Sequence, residues 1–96
     1  MDLVFAVVYE SSVVKVDIPR LSLTWKNKIK SYVEKKLTTQ PEVFGKPLRK
    51  SLKGYRRLRV GDYRVVYRIE DKTVKVFAIV HRSVIYKMVT KRLNKT

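Results

Sequence analysis

The stretch Tyr55–Ile69, YRRLRVGDYRVVYRI, places arginines where they can act together on an anion. Gly61-Asp62 is a two-residue turn signal between two runs rich in β-branched and aromatic residues, which predicts a hairpin. With those two residues as the loop, Val60 lies opposite Tyr63, Arg59 opposite Arg64, Leu58 opposite Val65 and Arg57 opposite Val66. Side chains alternate between faces. One face then carries Leu58, Val60, Tyr63, Val65 and Tyr67, and the other carries Tyr55, Arg57, Arg59, Arg64, Val66 and Arg68. Like charges set directly opposite across a ladder are destabilising, so a hairpin built for stability alone would not align Arg59 with Arg64. The economical reading is that a polyanion on that face supplies the missing negative charge; the alternative is a solvated, splayed arginine pair.

Composition narrows the chemistry. The 96 residues include 23 Lys and Arg against 8 Asp and Glu, a formal charge of +15, which attracts nucleic acid or an anionic membrane surface. Between Lys46 and Arg68 stand nine Lys or Arg and a single acid, Asp62, so charge is concentrated in the loop and hairpin. There is no cysteine, which excludes disulfides and thiolate chemistry. One histidine and few carboxylates, none at ligand spacing, argue against a metal site. No apolar run reaches the 18 or more residues that span a bilayer. The opening LVFAVVY follows Asp2 rather than basic residues and has no cleavage signature, unlike a signal peptide. A cytoplasmic protein of one domain, residues 1–96, is expected.

The elements that must position the arginines follow from periodicity. Leu3–Tyr9 reads as a buried strand. Val14, Val16 and Ile18 alternate like a strand, whereas Val14, Ile18 and Leu21 would line a short helix. Pro19 would cost a helix interior about 3 kcal/mol, and local evidence leans towards strand. Thr24–Thr39 carries Trp25, Ile29, Tyr32, Val33, Lys36 and Leu37 at spacings of three and four, a helix that Ser22 or Thr24 can cap and Pro41 ends. Its lysines form a solvated face. Pro41–Gly54 reads as a loop. Asp71-Lys72 makes a second turn before a strand over Thr73–Val80. That register puts Val74, Val76, Ala78 and Val80 on the core face with Tyr63, Val65 and Tyr67, and Phe77 and Ile79 on the arginine face beside Val66. Ser83 is placed to cap a helix running to about Leu93, with Ile85, Met88, Val89 and Leu93 as its apolar stripe. Trp25, Tyr63 and Tyr67 are expected in the core.

Lys46-Pro-Leu, Leu52-Lys-Gly54, the hairpin Tyr55–Tyr67, and His81-Arg82 followed by Tyr86 together resemble the RelE/ParE toxin superfamily, RelE branch, over nearly the whole chain. The resemblance implies an α+β fold: an N-terminal strand, a helical hairpin, a three-stranded antiparallel meander and a C-terminal helix. It therefore makes Val13–Leu21 a helix, against the local leaning. It implies a toxin of a type II toxin–antitoxin pair that cleaves mRNA in the ribosomal A site without metal or other cofactor. Its partners would be the ribosome, mRNA and an acidic antitoxin, partly disordered when free.

Metal-free RNA cleavage activates a ribose 2′-OH against the adjacent phosphate. It needs fixed cations, a proton acceptor and a donor for the leaving 5′-oxygen. By the resemblance, Arg64 contacts the scissile phosphate, Arg82 stabilises the transition state or donates a proton, and Tyr86 orients the substrate nucleotide. Arg57 and Arg59 stand where the family carries basic residues, lysines in some members. Arginine stays protonated at neutral pH, so His81, with a reference pKa near 6.5, becomes the candidate base; its alternative role is to cap the strand end. Lys46, Arg49, Lys50 and Lys53, with Arg56 and Arg68, are expected to bind phosphate backbone. Ile85, Met88 and Val89 are expected to contact the antitoxin or to cover the sheet. The resemblance also admits a ParE-like inhibitor of DNA gyrase without catalysis, or an inactive RNA-binding relative, because one fold serves several functions.

Overall fold

A computed structural model of the chain describes residues 4–49 and 52–94. Strand β1, Ala6–Tyr9, is followed by a π-helical turn over Val13–Asp17 and a 3₁₀ turn over Ile18–Arg20. Helix α1, Leu23–Tyr32, continues as a π-helical turn over Val33–Leu37. Then come a short helix α2 (Pro41–Phe44), β2 (Lys46–Pro47), β3 (Arg56–Val60), β4 (Tyr63–Glu70), β5 (Thr73–His81), a 3₁₀ turn over Arg82–Val84, and α3 (Ile85–Leu93). The five strands lie in the order β1-β5-β4-β3-β2, with β1 parallel to β5 and the other pairs antiparallel. This is the α+β arrangement of strand, helical hairpin, meander and C-terminal helix.

The segment Val13–Arg20 is helical, so the local leaning towards strand fails. Pro19 sits where the π-helical turn passes directly into the 3₁₀ segment, one residue before the helical run ends at Arg20, so little helix lies beyond it to be broken. Ser22 caps α1 by accepting the Trp25 N–H at 3.3 Å. The expected loop after Pro41 contains two further elements, α2 and β2. They are organised by Tyr67, which is fully buried and donates its hydroxyl to the Pro41 carbonyl at 2.5 Å. A Cβ at Gly45 would stand 1.9 Å from that hydroxyl oxygen, so the chain can pass over the tyrosine there only as glycine.

The hairpin register is the expected one, with Val60↔Tyr63, Arg59↔Arg64, Leu58↔Val65 and Arg57↔Val66 paired. Gly61 takes φ +59°, and a Cβ there would meet the Trp25 ring at 2.4 Å. Between β4 and β5 the register shifts at Val66/Tyr67: Val66 pairs with Ala78 but Tyr67 pairs with Val76. Phe77 is therefore the extra residue of a β-bulge, and a one-residue slip exchanges the faces of everything beyond it. The expectation for the second half of β5 is corrected accordingly. Ala78 and Val80 pack with Val66, and Ile79 packs with Val65 and Tyr67.

Two cores result. One, beneath the helical hairpin, joins Val13, Leu21, Ile29, Val33 and Leu37 to Leu58, Val60, Val65, Tyr67, Val74 and Val76. The other lies between the opposite sheet face and α3 and contains Leu48, Leu52, Val66, Ala78, Val80, Ile85 and Val89. Ile85 and Val89 are thus used to cover the sheet, not free to meet an antitoxin on the folded surface, while Met88 is half-buried. Asp17, 4% exposed, ties the layers together. Its carboxylate accepts the Ile79 N–H at 2.9 Å, just past the bulge, and both terminal guanidinium nitrogens of Arg92, at 2.8 and 2.5 Å. Arg92 also donates to the Phe77 carbonyl at 3.0 Å.

Candidate active site

On the α3 side of the sheet, where β3, β4 and β5 meet the start of α3, lies a cavity of about 890 Å³. Strand alternation delivers Arg57 and Arg64 into it from β3 and β4, β2 and the following loop bring Lys46, Pro47 and Arg49, and the end of β5 brings His81 and Arg82. Ser83, Ile85 and Tyr86 complete it, and no carboxylate lines it among the described residues. The cationic residue types expected from the sequence thus converge on one concave surface.

The charges are held in place. Arg57 Nη1 donates to the Tyr86 hydroxyl at 3.1 Å, and the Arg49 guanidinium lies 5.6 Å from the centre of the Tyr86 ring. Burial pushes the Tyr86 phenol up. Hydrogen bonding from Arg49 and the charges of Arg57 and Arg49 outweigh it, leaving the phenol below its ordinary 10.0. Arg64 donates to the carbonyls of Gly61 and Tyr63, each at 2.9 Å. Burial and then the repulsion of Arg59, Arg57 and Arg82 lower its pKa from the ordinary arginine value, with Asp62 opposing. These groups would be relieved by an anion. Asp62 holds Arg82 twice, through the Arg82 N–H to its carbonyl at 2.8 Å and through Arg82 Nε to its carboxylate at 3.6 Å.

His81 both lines the cavity and caps the chain beyond it. Its Nδ1 accepts the Ser83 N–H at 3.1 Å and lies 2.8 Å from Ser83 Oγ. Ser83, expected to be the capping residue, is the capped one. The neutral ring assigned from these contacts carries its proton on Nε2.

The remaining expected site residues lie elsewhere. Arg59 is exposed on the arginine face but does not line the cavity. Arg56 shares its face with Leu58 and Val60, and its Nη2 donates to the Glu42 and Gly45 carbonyls at 2.7 and 2.9 Å. It braces the Pro41–Gly45 segment and is corrected from an RNA contact to a structural one. Arg68 is likewise withdrawn: it pairs with Glu70 and stacks 5.6 Å from the Tyr55 ring centre, towards the other end of β4. Lys53 is exposed outside the cavity, and Lys50 lies outside the described residues. Pro47, Ser83 and Ile85 are lining residues that the sequence reading did not assign to catalysis or RNA; the period-two pattern of β3 and β4 carries no information about them. Among the described residues no three His, Cys, Asp or Glu are grouped to hold a metal ion, and no helix is long and apolar enough to cross a membrane.

The family model described as the ParE toxin of the type II toxin–antitoxin system matches residues 16–86. Among curated proteins, the chain is similar to Toxin RelE of Mycobacterium tuberculosis, 46% identical over 54 residues, covering 54% of this chain and 56% of that protein. It is also similar to Toxin RelG of the same organism, 43% identical over 53 residues, covering 53% and 61%. The match thus spans under two thirds of the length of either relative. Among solved structures, the toxin–antitoxin complex RelBE2 of Mycobacterium tuberculosis matches with a TM-score of 0.77 at 29% identity, over 85% of this chain and 98% of that one. A RelB–RelE antitoxin–toxin complex of Methanococcus jannaschii shares the fold, with a TM-score of 0.64 at 23% identity over 82% and 94%.

Proposed function

The chain belongs to the ParE toxin family of type II toxin–antitoxin systems, and from that premise we propose that it is a ribosome-dependent endoribonuclease that needs no metal. The observation that carries this reading is the single cavity in which Lys46, Arg49, Arg57, Arg64 and Arg82 surround His81 and Tyr86 with no lining carboxylate. A gyrase-binding surface needs charge complementarity. Phosphodiester cleavage needs in addition a proton acceptor and donor among the cations, and those are the groups gathered here.

In the proposed reaction the scissile phosphate sits between Arg64 and Arg82. The 2′-oxygen forms a bond to phosphorus and passes its proton to the Tyr86 phenolate. The phosphorane's added negative charge falls on Arg64 and Arg82, which need no reorganisation to meet it. The bond to the 5′-oxygen breaks, that oxygen takes a proton from water while accepting a hydrogen bond from His81 Nε2–H, and a 2′,3′-cyclic phosphate remains. His81 moves from acceptor, as the sequence suggested, to donor, because its Nδ1 is taken by Ser83. Arg57 and Arg49 hold the phenol below its ordinary value and so favour the phenolate form that this step uses. The partners are mRNA in the ribosomal A site and a cognate acidic antitoxin. The +15 charge and the likeness to chains solved as toxin–antitoxin complexes support the latter.

Arg82→Ala tests the catalytic assignment. Loss of one preorganised oxyanion contact costs about 10²–10³ in rate, so the variant should lose mRNA cleavage and growth arrest while still capturing its antitoxin. Full toxicity would refute the assignment. A second reading, inhibition of DNA gyrase without catalysis, is favoured by the ParE description of the family model, and a supercoiling assay on the same preparations separates the two.

A further inference from the structure

Across His81 from the cationic cavity lies a second, smaller one of about 320 Å³ at the end of the sheet, between the helical hairpin and α3. Its character is different. Leu21, Ile79 and Val80, all buried, form an apolar floor; Tyr63, His81 and Met88 form walls. Tyr63 stands in a row of rings, 4.9 Å from Trp25 and 5.9 Å edge-on from His81. At the exposed rim is Arg20, whose guanidinium has no hydrogen-bond or ion-pair partner among the described residues. Asp17 also borders this space, but its carboxylate is already taken by Arg92 and the Ile79 N–H.

From this arrangement we infer a nucleobase pocket that takes the base of the nucleotide next to the scissile phosphate. The inference rests on the ribonuclease reading of the larger cavity. Proteins that recognise single-stranded RNA splay bases out, stack them on aromatic rings or guanidinium planes and bond their edges. The two cavities share His81, so a strand whose phosphate lies on Arg64 and Arg82 needs only to turn one base across that residue. The apolar floor receives the ring, Tyr63 and His81 flank it, and Arg20 supplies donors to its carbonyl or ring-nitrogen edge. A phosphate does not suit such a floor. A base does, and the cleavage site on mRNA then depends on which base the pocket accepts.

The test uses ribosomes programmed with one intact mRNA, and a series of the same mRNA with one abasic nucleotide moved through the A-site codon. Val84→Glu and Arg20→Glu, both at exposed lining positions outside the catalytic set, are compared with wild type by single-turnover cleavage. In wild type, the abasic nucleotide beside the scissile phosphate should lower kcat/KM by about 5- to 150-fold, the worth of one stacked base. Each variant should lose a comparable factor on intact mRNA and be insensitive to that abasic position. A flat abasic series with normal cutting of intact mRNA overturns the pocket and leaves the ribonuclease standing. No cutting of intact mRNA by wild type removes both. If the variants cut normally but no longer capture the antitoxin, the cavity is a protein contact and the base assignment is wrong.

Discussion

Asp17→Ala should be the most damaging single substitution outside the active site. The Asp17 and Arg92 side chains are 3% and 12% exposed, so the variant leaves a nearly buried guanidinium without its counter-ion and the Ile79 N–H without an acceptor. Removing one partner of a buried pair costs about 3–5 kcal/mol. Arg92 keeps its bond to the Phe77 carbonyl and some solvent contact, which argues for the lower end, about 3 kcal/mol. A domain of this size loses roughly 4–8 °C per kcal/mol, so the midpoint should fall by about 12–24 °C. Urea and thermal unfolding should be run on Asp17→Ala, on Arg92→Met and on the double variant. Because both singles strand the same charge pair, the double variant should lose clearly less than their sum. A cost below about 1 kcal/mol for Asp17→Ala, or strict additivity, would show that this pair does not hold α3 to the hairpin, contrary to the buried-pair expectation.

Other consequences can be checked on the same preparations. Arg57→Ala removes a hydrogen bond and a positive charge from Tyr86, so its phenol should titrate closer to 10.0 by ultraviolet absorbance. The rise of cleavage rate with pH should move upward with it, and an unmoved inflection would eliminate Tyr86 as the base. Arg56→Ala should cost about 1–3 kcal/mol through two lost charged hydrogen bonds yet leave the salt dependence of RNA binding unchanged; a flattened salt slope would return Arg56 to the interface. Burial raises the Tyr67 phenol above its unfolded value of 10.0. The neutral folded form is therefore fully favoured below about pH 10, and stability is lost as pH rises beyond it. Tyr67→Phe should remove that alkaline loss, seen as a flatter midpoint against pH, and a profile as steep as wild type would assign the loss to other groups.

The hairpin was legible in the sequence because a two-residue turn fixes register and period two fixes faces; Arg57 and Arg64 followed from it. The same alternation places Arg56 with Leu58 and Val60, so its parity sets it apart from the site although its charge resembles that of Arg57. The bulge at Phe77 was not readable. Nothing local distinguishes VKVFAIV with an extra residue from a regular strand, and the slip moved Ala78, Ile79 and Val80 to opposite faces. The pairing of Asp17 with Arg92 spans 75 residues and leaves no spacing signal. The helical form of Val13–Arg20 follows from the family resemblance alone, since Pro19 near the end of a helical run and Pro19 in a strand leave similar patterns. His81 shows how local contacts decide a role: its type suggested a base, while the Ser83 N–H on Nδ1 directs Nε2–H towards chemistry.

The central claim is tested most directly by toeprinting translating ribosomes with the purified protein, wild type beside Arg64→Ala, with a DNA gyrase supercoiling assay in parallel. Cuts within the A-site codon that vanish in the variant, with gyrase unaffected, are the predicted result. Intact mRNA together with blocked supercoiling would contradict it and make the basic cavity a surface for binding gyrase.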